Sequence, residues 1–329
     1  MKLAVLDIGS NSAQLQVVDV SPGAPPLPAF AVKEPTLLAE ELQHDGALSE
    51  TGIERATIAV SRAVDQAVRL GVDHLYPFVT AAVRNTSAAL PPHRRGTGPD
   101  PGCRLDPVAV RRWYGWSAGR LLLIDIGGGL MELVLGRDVE PELAISLPLG
   151  AGRLTREFLT ADPPTSKQVK RLRRHVRGTL SEVLDRLRWE GPPRRVVATS
   201  KTFKQMARLS GAVSQRKGPF VIRELTVAAL RDRIPQLTEA TAADRAHFRG
   251  ISRSRARQVV AGALGAEGTL SALDVTRVEV CPWALREGNM LRHLERVAEM
   301  PTLPLLPLIR HPDATVRPLH TAEERQAPS

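Results

Sequence analysis

One sequence pattern occurs twice in this chain and constrains its fold more than any other feature. Residues 5–19 read VLDIGSNSAQLQVVD and residues 123–137 read LIDIGGGLMELVLGR. Each copy predicts a strand that ends in Asp-Ile-Gly, a turn of small residues and a returning strand. Two such copies, about 118 residues apart, indicate two lobes built on one plan.

The repeat also sets the expected domain organisation. The first lobe is predicted over residues 1–116 and the second over 117–300, and the chain of 329 residues is long enough for both. Residues 301–329 are rich in proline and lack a period, which predicts a flexible tail. Residues 88–107 combine prolines, glycines and arginines without a period, so they are predicted to be disordered.

The amino-acid composition limits the kinds of partner and the cellular compartment that are expected for this chain. The formal charge of +10 favours a polyanionic partner, although a high-GC genome, which encodes Arg where another encodes Lys or Gln, is an equal explanation. Cys103 and Cys281 lack ligand spacing, so neither a disulfide framework nor a zinc site is expected. No run of 18 apolar residues exists and the chain enters a strand at once, without a leader. We therefore expect a cytoplasmic protein without a transmembrane helix.

Helix-capping signals locate the longer elements. Ser49 is predicted to cap a helix that ends at Gly71, and Thr165 with Gln168 forms a capping box at the start of a long helix. The polar face of that long helix is basic, and it is either a solvated surface or a track for a polyanion. Further helices are predicted over 201–209, 226–234, 255–273 and 284–297, and further strands over 78–83, 195–198 and 275–281.

The two repeated turns suit phosphate chemistry. Glycines let backbone N–H groups approach phosphate oxygens without interference from a Cβ atom. An aspartate at the end of the preceding strand is held rigidly, where it can bind Mg²⁺ or orient a water molecule. Asp7 and Asp125 occupy this position in the two copies. One such turn is weak evidence, but two that face each other would grip a phosphate chain from both sides.

Six motifs connect the chain to a known family: DIGSNS (7–12), AAVR (81–84), DIGGG (125–129) with Glu132, a segment over 146–155, ATSKTF (198–203) and PWALREG (282–288). With these motifs the chain resembles the exopolyphosphatase / guanosine pentaphosphate phosphohydrolase (Ppx/GppA) phosphatase family, and most of all its short actinobacterial type. The resemblance extends to residue 297. It implies an α/β, actin-like (ASKHA) fold of two duplicated ribonuclease-H-like lobes with a cleft between them.

The resemblance also implies roles for individual residues. Asp7, Asp125 and Glu132 would be catalytic and would hold Mg²⁺. The phosphate-binding residues would be Ser10, Asn11, Ser12, Arg84, Gly127, Gly128, Gly129, Thr199, Ser200 and Lys201. The alternatives are a turn cap for Asp125 and solvated surface positions for Glu132, Arg84 and Lys201.

One segment departs from the family pattern. The family places a glutamate that serves as catalytic base before an Ala-Arg pair, whereas Gly102 stands at that place here. The interval after Arg84 is also about ten residues shorter than usual, too short for both of its elements. Compensating frameshifts and a genuine variant are the two hypotheses. Leu130 is a second departure, because relatives carry a hydroxyl residue there.

The expected function is hydrolysis of phosphoanhydrides, with release of terminal orthophosphate from inorganic polyphosphate at a rate reduced by the missing glutamate. The alternatives are a guanosine pentaphosphate 5′-phosphohydrolase and a non-catalytic protein that binds polyphosphate or an alarmone. The aromatic content of 4% slightly favours polyphosphate over a nucleotide. We expect a homodimer that binds neither a membrane nor a specific nucleic acid.

Overall fold

The computed structural model describes residues 1–9, 11–20, 27–38, 41, 48–79, 107–138, 141–284, 286–288 and 290–292. Several sequence predictions lie outside these residues: those for Ser10, Arg84, Gly102 with the rest of 88–106, and the tail 301–329.

The first repeat copy forms the centre of a four-stranded sheet. Its strands are β1 (Lys2–Ile8), β2 (Ser12–Asp19), β3 (Pro28–Pro35) and β4 (His74–Val79), in the order β3-β2-β1-β4. β1 and β2 are antiparallel, β2 and β3 are antiparallel, and β1 and β4 are parallel. The predicted hairpin is confirmed. Strand β3 was not predicted, because its prolines signal a loop, yet both stand at the ends of an edge strand, where proline is tolerated.

The second copy forms the centre of a larger sheet with the same plan. Its strands are β5 (Leu121–Ile126), β6 (Met131–Gly136), β7 (Leu143–Leu147), β8 (Arg195–Ala198), β9 (Glu224–Thr226) and β10 (Arg277–Val280). The order is β7-β6-β5-β8-β10-β9. Its first four strands repeat both the order and the directions of β3-β2-β1-β4. The duplication predicted from the repeat is therefore present in the topology.

Eight α-helices surround the sheets in the described part of the chain. They are α1 (Glu50–Arg69), α2 (Pro107–Tyr114), α3 (Ala151–Phe158), α4 (Ser166–Trp189), α5 (Ser200–Leu209), α6 (Val227–Glu239), α7 (Ala242–Arg245) and α8 (Val259–Ala272). The predicted cap of α1 by Ser49 and the capping box of α4 are both confirmed. No helix in the described ranges has the length and apolar composition needed to cross a membrane.

Some predicted element boundaries were wrong. The helix predicted over 255–273 begins only at Val259, because residues 253–255 form a 3₁₀ turn. Helix α6 continues through Pro235 to Glu239, beyond the predicted end at Ile234. The last strand is shorter than predicted and spans Arg277–Val280.

The first sheet is covered on both faces. Ala59, Ala63 and Ala67 of α1 pack against one face, and their small side chains let the helix lie close to the strands. Met290 packs on the other face against Leu3 and its neighbours. A residue near the C-terminal end of the described chain thus completes the core of the N-terminal sheet.

The second sheet has the larger core. Helix α8 is buried on nearly all sides, as its apolar sequence predicts, and packs against α3, α4 and α6. The start of α2, with Val108, contributes to the core of the second sheet beside Leu121 and Trp283. The burial of Trp283 is as predicted. The lobe boundaries near residues 116 and 300 stay predictions.

Candidate active site

A turn of three glycines closes the β5–β6 hairpin. The carbonyl oxygens of Gly127 and Gly128 accept hydrogen bonds from the N–H groups of Ala151 and Arg153, both at 2.9 Å, at the start of α3. The N–H groups of Gly128 and Gly129 donate to no acceptor among the described residues. Because the carbonyls are turned towards α3, these two N–H groups are available to an anion on the other side of the turn.

Gly150 allows this close approach between α3 and the turn. A Cβ atom on Gly150 would lie 2.2 Å from the carbonyl carbon of Gly129 and 2.4 Å from the nitrogen of Leu130. Both neighbours are backbone atoms that cannot rotate away. A side chain at this position would therefore displace the glycine turn.

Asp125 lies at the end of β5, beside this turn. Its Oδ2 atom accepts a hydrogen bond of 2.6 Å from the hydroxyl group of Thr199, which is fully buried at the end of β8. Burial raises the pKa of Asp125, while the Thr199 hydrogen bond and the charges of Lys204 and Arg255 act to lower it. The carboxyl group is therefore fixed in place and lies within the electrostatic reach of two cations.

The turn from β8 into α5 is strained. Ser200 has a φ angle of +70°, which places a residue with a Cβ atom in the left-handed region. Such a conformation costs about 1–2 kcal/mol, and strain of this kind is concentrated at functional sites. The next residue, Lys201, has a pKa lowered by desolvation and by repulsion from Lys33 and Arg255. The turn that carries Thr199, Ser200 and Lys201 thus lies beside Asp125, and the phosphate-binding role of these three residues stays a prediction.

Glu132 is placed opposite Asp125 in the β5–β6 register, so the two side chains share one face of the sheet. The hydroxyl group of Ser146 on β7 lies 3.5 Å from a Glu132 carboxylate oxygen. Asp7 faces Gln14 in the same way in the β1–β2 register. The strand register of the two repeat copies therefore matches at this pair, where an amide in the first copy replaces the carboxylate of the second.

Asp7 is held by an arginine from the far end of the chain. Arg286 Nη2 lies 3.1 Å from Asp7 Oδ2 and 3.1 Å from Gln14 Oε1, and Nη1 lies 3.1 Å from Gln16 Oε1. Burial raises the pKa of Asp7, while Arg286 acts to lower it. Asp7 Oδ1 is buried and has no hydrogen-bond partner in the described part of the chain.

Arg255 connects the two hairpins electrostatically. Burial lowers the pKa of its guanidinium group, and the charges of Asp125 and Asp7 both raise it. The same group is therefore within electrostatic range of both aspartates.

The charges around Arg255 form what we call the cationic cleft. Its cations are Lys33, Lys201, Lys204, Arg255 and Arg286, and its carboxylates are Asp7, Asp125 and Glu287. Lys204 is desolvated, which lowers its pKa, and its Nζ donates to the carbonyl of Pro282 at 2.7 Å. With Glu132 beside Asp125, five cations face four carboxylates, so the cleft keeps a surplus of positive charge and is suited to an anion.

The remaining predicted residues that the structure describes, Asn11 and Ser12, lie on the first hairpin. The carbonyl oxygen of buried Asn11 accepts from Thr36 N at 3.1 Å, and that of Ser12 accepts from Gly9 N at 3.0 Å. Gly127 makes the equivalent turn hydrogen bond in the second copy, to Leu130 at 2.9 Å. The roles assigned to all these residues stay predictions.

Four cations of the cleft were missed by sequence reasoning. Lys33 lies on the unpredicted strand β3, and Arg255 lies where a continuous helix was expected. Lys204 is on a correctly predicted helix without any signal of its burial. Arg286 belongs to the PWALREG motif, so its presence in that motif was the one available signal.

The residues of the cleft fit a divalent cation that is shared with the substrate. Within the described ranges, no three His, Cys, Asp or Glu side chains converge to hold a metal ion by themselves. Mg²⁺ is usually bound by one or two carboxylates, with waters and substrate phosphates as its other ligands. The unpartnered Oδ1 of Asp7, together with Asp125, meets that requirement. Glu132 as a further ligand stays a prediction.

Comparisons with known proteins agree with this geometry. A profile of the Ppx/GppA phosphatase family matches residues 103–297. Exopolyphosphatase 1 of Mycobacterium tuberculosis is 45% identical over 309 residues, covering 91% of this chain and 90% of the relative. Exopolyphosphatase 1 of Mycobacterium leprae is 44% identical over 309 residues, with 91% of both chains covered.

A solved structure is similar over the same extent. An exopolyphosphatase from Cytophaga hutchinsonii superposes with a TM-score of 0.75 at 19% identity and covers 90% of this chain and 98% of the other. At that identity the likeness concerns the fold alone. The fold is α/β and actin-like, as the resemblance implied.

Proposed function

Since the chain belongs to the Ppx/GppA phosphatase family, we propose that it is a phosphoanhydride hydrolase that releases terminal orthophosphate from inorganic polyphosphate. The observation that carries the proposal is the fixed orientation of the equivalent aspartates of the two repeat copies. Thr199 donates to Asp125 Oδ2 at 2.6 Å and Arg286 Nη2 lies 3.1 Å from Asp7 Oδ2, in a cleft with surplus positive charge. A terminal phosphate bound there has cations and carboxylates on both sides.

The cleft supports phosphoryl transfer mainly through positioning and electrostatics. The transition state spreads negative charge over the phosphoryl oxygens, so fixed donors directed at those oxygens lower the barrier. The N–H groups of Gly128 and Gly129 are such donors, and Arg255 and Lys201 add full charges. Because most of these groups are held by the hairpins and by α5, they need little reorganisation during the reaction.

The two aspartates are oriented by their partners. Thr199 fixes one oxygen of Asp125, and Arg286 fixes one oxygen of Asp7. The free oxygen of Asp7 can accept a hydrogen bond from the attacking water and align it with the terminal phosphorus. We propose that Mg²⁺, held by Asp7 and Asp125, would supply Lewis-acid polarisation of the phosphoryl oxygens when bound.

The chain lacks the glutamate that serves as catalytic base in the family. A positioned base contributes about 10²- to 10⁴-fold in rate, and Gly102 stands where the family has a glutamate. We therefore propose slow hydrolysis with substrate binding retained. Replacing the segment between Arg84 and Arg104 with the family's own segment should raise turnover at least tenfold. Equal rates for both proteins would show that another carboxylate accepts the proton.

We also propose the substrate, the cellular location and the oligomeric state of the protein. The curated relatives quoted above are named exopolyphosphatases, which supports polyphosphate over guanosine pentaphosphate as substrate. A cytoplasmic location agrees with the two cysteines, neither of which has ligand spacing or a disulfide pattern. The side chains of Phe220 and Ile222, 70% and 74% exposed, offer an apolar surface for a homodimer.

The proposal is tested by measuring phosphate release from medium-chain polyphosphate with and without Mg²⁺. The variant Asp125→Asn keeps the shape of the side chain and its contact with Thr199, and it should lose Mg²⁺-dependent turnover while remaining folded. Asp232→Asn is the matched control, because Asp232 is exposed on α6. Unchanged hydrolysis by Asp125→Asn would contradict the assignment of this site.

A further inference from the structure

A second basic surface lies beside the cationic cleft. It is a groove of about 810 Å³ between α3, α7 and the 3₁₀ turn that precedes α8. We call it the basic groove and define it by Arg156, His247, Arg253 and Arg257. No aspartate or glutamate is among its lining residues in the described part of the chain.

The arginines of the groove are available to a ligand. Arg156 and Arg253 are exposed, and neither forms an ion pair or a side-chain hydrogen bond with a described residue. Arg257 uses Nη2 for the carbonyl oxygen of Thr160 at 3.0 Å. Each guanidinium group presents several donors, so Arg257 retains others for an anion.

The groove shares its wall with the candidate active site. Gly152 lines the groove, and a Cβ atom there would lie 3.0 Å from the carbonyl oxygen of Gly128 in the glycine turn. Arg255 stands between Arg253 and Arg257 in sequence and interacts with both aspartates of the cleft. The same short segment therefore supplies one arginine to the cleft and two to the groove.

The wall of the groove is fixed by a buried ion pair. Arg245, 1% exposed, pairs with Asp162 and donates to the carbonyl oxygen of Ala256 at 2.6 Å. Asp162 also accepts from the N–H group of Ala242 at 2.8 Å. These contacts join α7, the loop after α3 and the segment that carries the groove arginines. The groove is thus formed before a ligand binds.

From this placement we propose that the basic groove binds the distal phosphates of a polyphosphate chain whose terminal phosphate lies in the cationic cleft. The proposal rests on the proposed function and adds a second binding region to it. A linear chain with a negative charge on each phosphate matches a groove whose described lining carries three arginines and no carboxylate. A chain of three phosphates would occupy the cleft, whereas a long chain would reach the groove.

The test compares two variants that each lose three positive charges. The first replaces Arg156, Arg253 and Arg257 with Gln. The second replaces Lys167, Lys170 and Arg174 with Gln on the exposed face of α4, so it controls for total charge and tests that face as an alternative track. Steady-state kinetics with tripolyphosphate and with long-chain polyphosphate are measured for both variants and for the unmodified protein at several salt concentrations.

The groove variant should lower the ratio of kcat/KM for the long chain to kcat/KM for tripolyphosphate about tenfold, mostly through KM. Its long-chain affinity should also depend less steeply on salt, because fewer counterions are released on binding. The α4 variant should leave the ratio within about twofold. The proposal would be overturned if the groove variant lost kcat/KM equally for both chain lengths. It would also be overturned if the ratio fell equally in both variants.

A direct measurement of polyphosphate binding distinguishes failure of the groove proposal from failure of the proposed function. If the unmodified protein hydrolyses neither substrate, the enzyme proposal fails, and equilibrium binding of long-chain polyphosphate still tests the groove. Weaker binding by the groove variant alone would support the groove in that case. Unchanged binding would overturn it whatever the activity.

Discussion

Arg286 is the residue that joins the two ends of the chain at the site. Its guanidinium group holds Asp7, Gln14 and Gln16 on the first hairpin, although it follows the last strand of the second sheet. The Arg286 and Asp7 side chains are 22% and 20% exposed, so the pair is largely desolvated. Removing one partner of such a pair leaves the other as an uncompensated charge.

Arg286→Gln should therefore destabilise the protein by about 2 kcal/mol and reduce turnover, because Asp7 loses both its orientation and its counter-charge. The free energy of unfolding is measured by urea titration. Arg277→Gln is the control, since Arg277 is 70% exposed and lies 3.9 Å from Glu224. It should change stability by less than about 0.5 kcal/mol. Equal losses of stability in Arg286→Gln and Arg277→Gln would show that the ion pair of Arg286 with Asp7 contributes no more than an exposed ion pair.

Ser200 provides a second test at the scale of one residue. Its φ angle of +70° is a conformation that glycine adopts without a Cβ penalty. Ser200→Gly should raise the free energy of unfolding by about 0.5 kcal/mol, after the greater entropy of glycine in the unfolded chain is subtracted. Ser200→Ala keeps the strain and should give no gain. Thermal unfolding is measured for both variants. An increase in stability from alanine equal to that from glycine would show that the Ser200 backbone is not strained.

At the scale of elements, the contact between α3 and the glycine turn determines the shape of the phosphate site. Gly150→Ala would place a Cβ atom 2.2 Å from the backbone of Gly129. Overpacking of this kind costs about 1–3 kcal/mol, and the displaced turn should also bind phosphate less tightly. Gly178→Ala on α4 is the matched control, because its Cβ atom would meet nothing within 4 Å. The control should be neutral or stabilising. Unfolding and pyrophosphate binding are measured for both, and full binding by Gly150→Ala would contradict the role of this contact.

One matched position carries an amide in the first hairpin and a carboxylate in the second, which gives another prediction. Gln14 contacts Arg286 in the first copy, whereas Glu132 adds a negative charge beside Asp125 in the second. Glu132→Gln should raise the Mg²⁺ concentration for half-maximal turnover about tenfold, because an amide attracts the cation less strongly than a carboxylate does. Glu182→Gln, at an exposed position of α4, should leave that concentration unchanged. An unchanged requirement in Glu132→Gln would show that this side chain does not act on the metal.

For the whole molecule, the sequence predicted what depends on local periodicity or on the repeat. Both hairpins and the capped helices follow from local patterns, the duplicated plan follows from the similarity of residues 5–19 and 123–137, and all are present in the structure. The cations of the cleft come from β3, α5, the 3₁₀ turn and the segment after β10. No local pattern marks a lysine or arginine as part of a binding cleft, so Lys33, Lys204 and Arg255 became recognisable only when the fold had brought them together.

The converging cations make the electrostatic energy of the free protein unfavourable, because they repel one another. The pKa of Lys33 is lowered first by desolvation and then by Arg255 and Arg286, and the pKa of Lys201 is lowered in part by Lys33. These cations repel one another across the cleft between the two sheets. A bound oligophosphate would neutralise them, so it should stabilise the folded state by mass action.

Lys33→Gln should therefore raise the Tm of the free protein slightly, by removing a repelled charge, and reduce the increase in Tm produced by tripolyphosphate. The measurement is thermal unfolding without divalent metal, with and without tripolyphosphate, at low and high salt. The increase in Tm should shrink at high salt in both proteins, because ions screen the cleft. Lys170→Gln removes an equal charge from the exposed face of α4 and should change neither quantity. If Lys33→Gln lowered the Tm of the free protein, or left the tripolyphosphate shift unchanged, Lys33 would not belong to the phosphate-binding charge of the cleft.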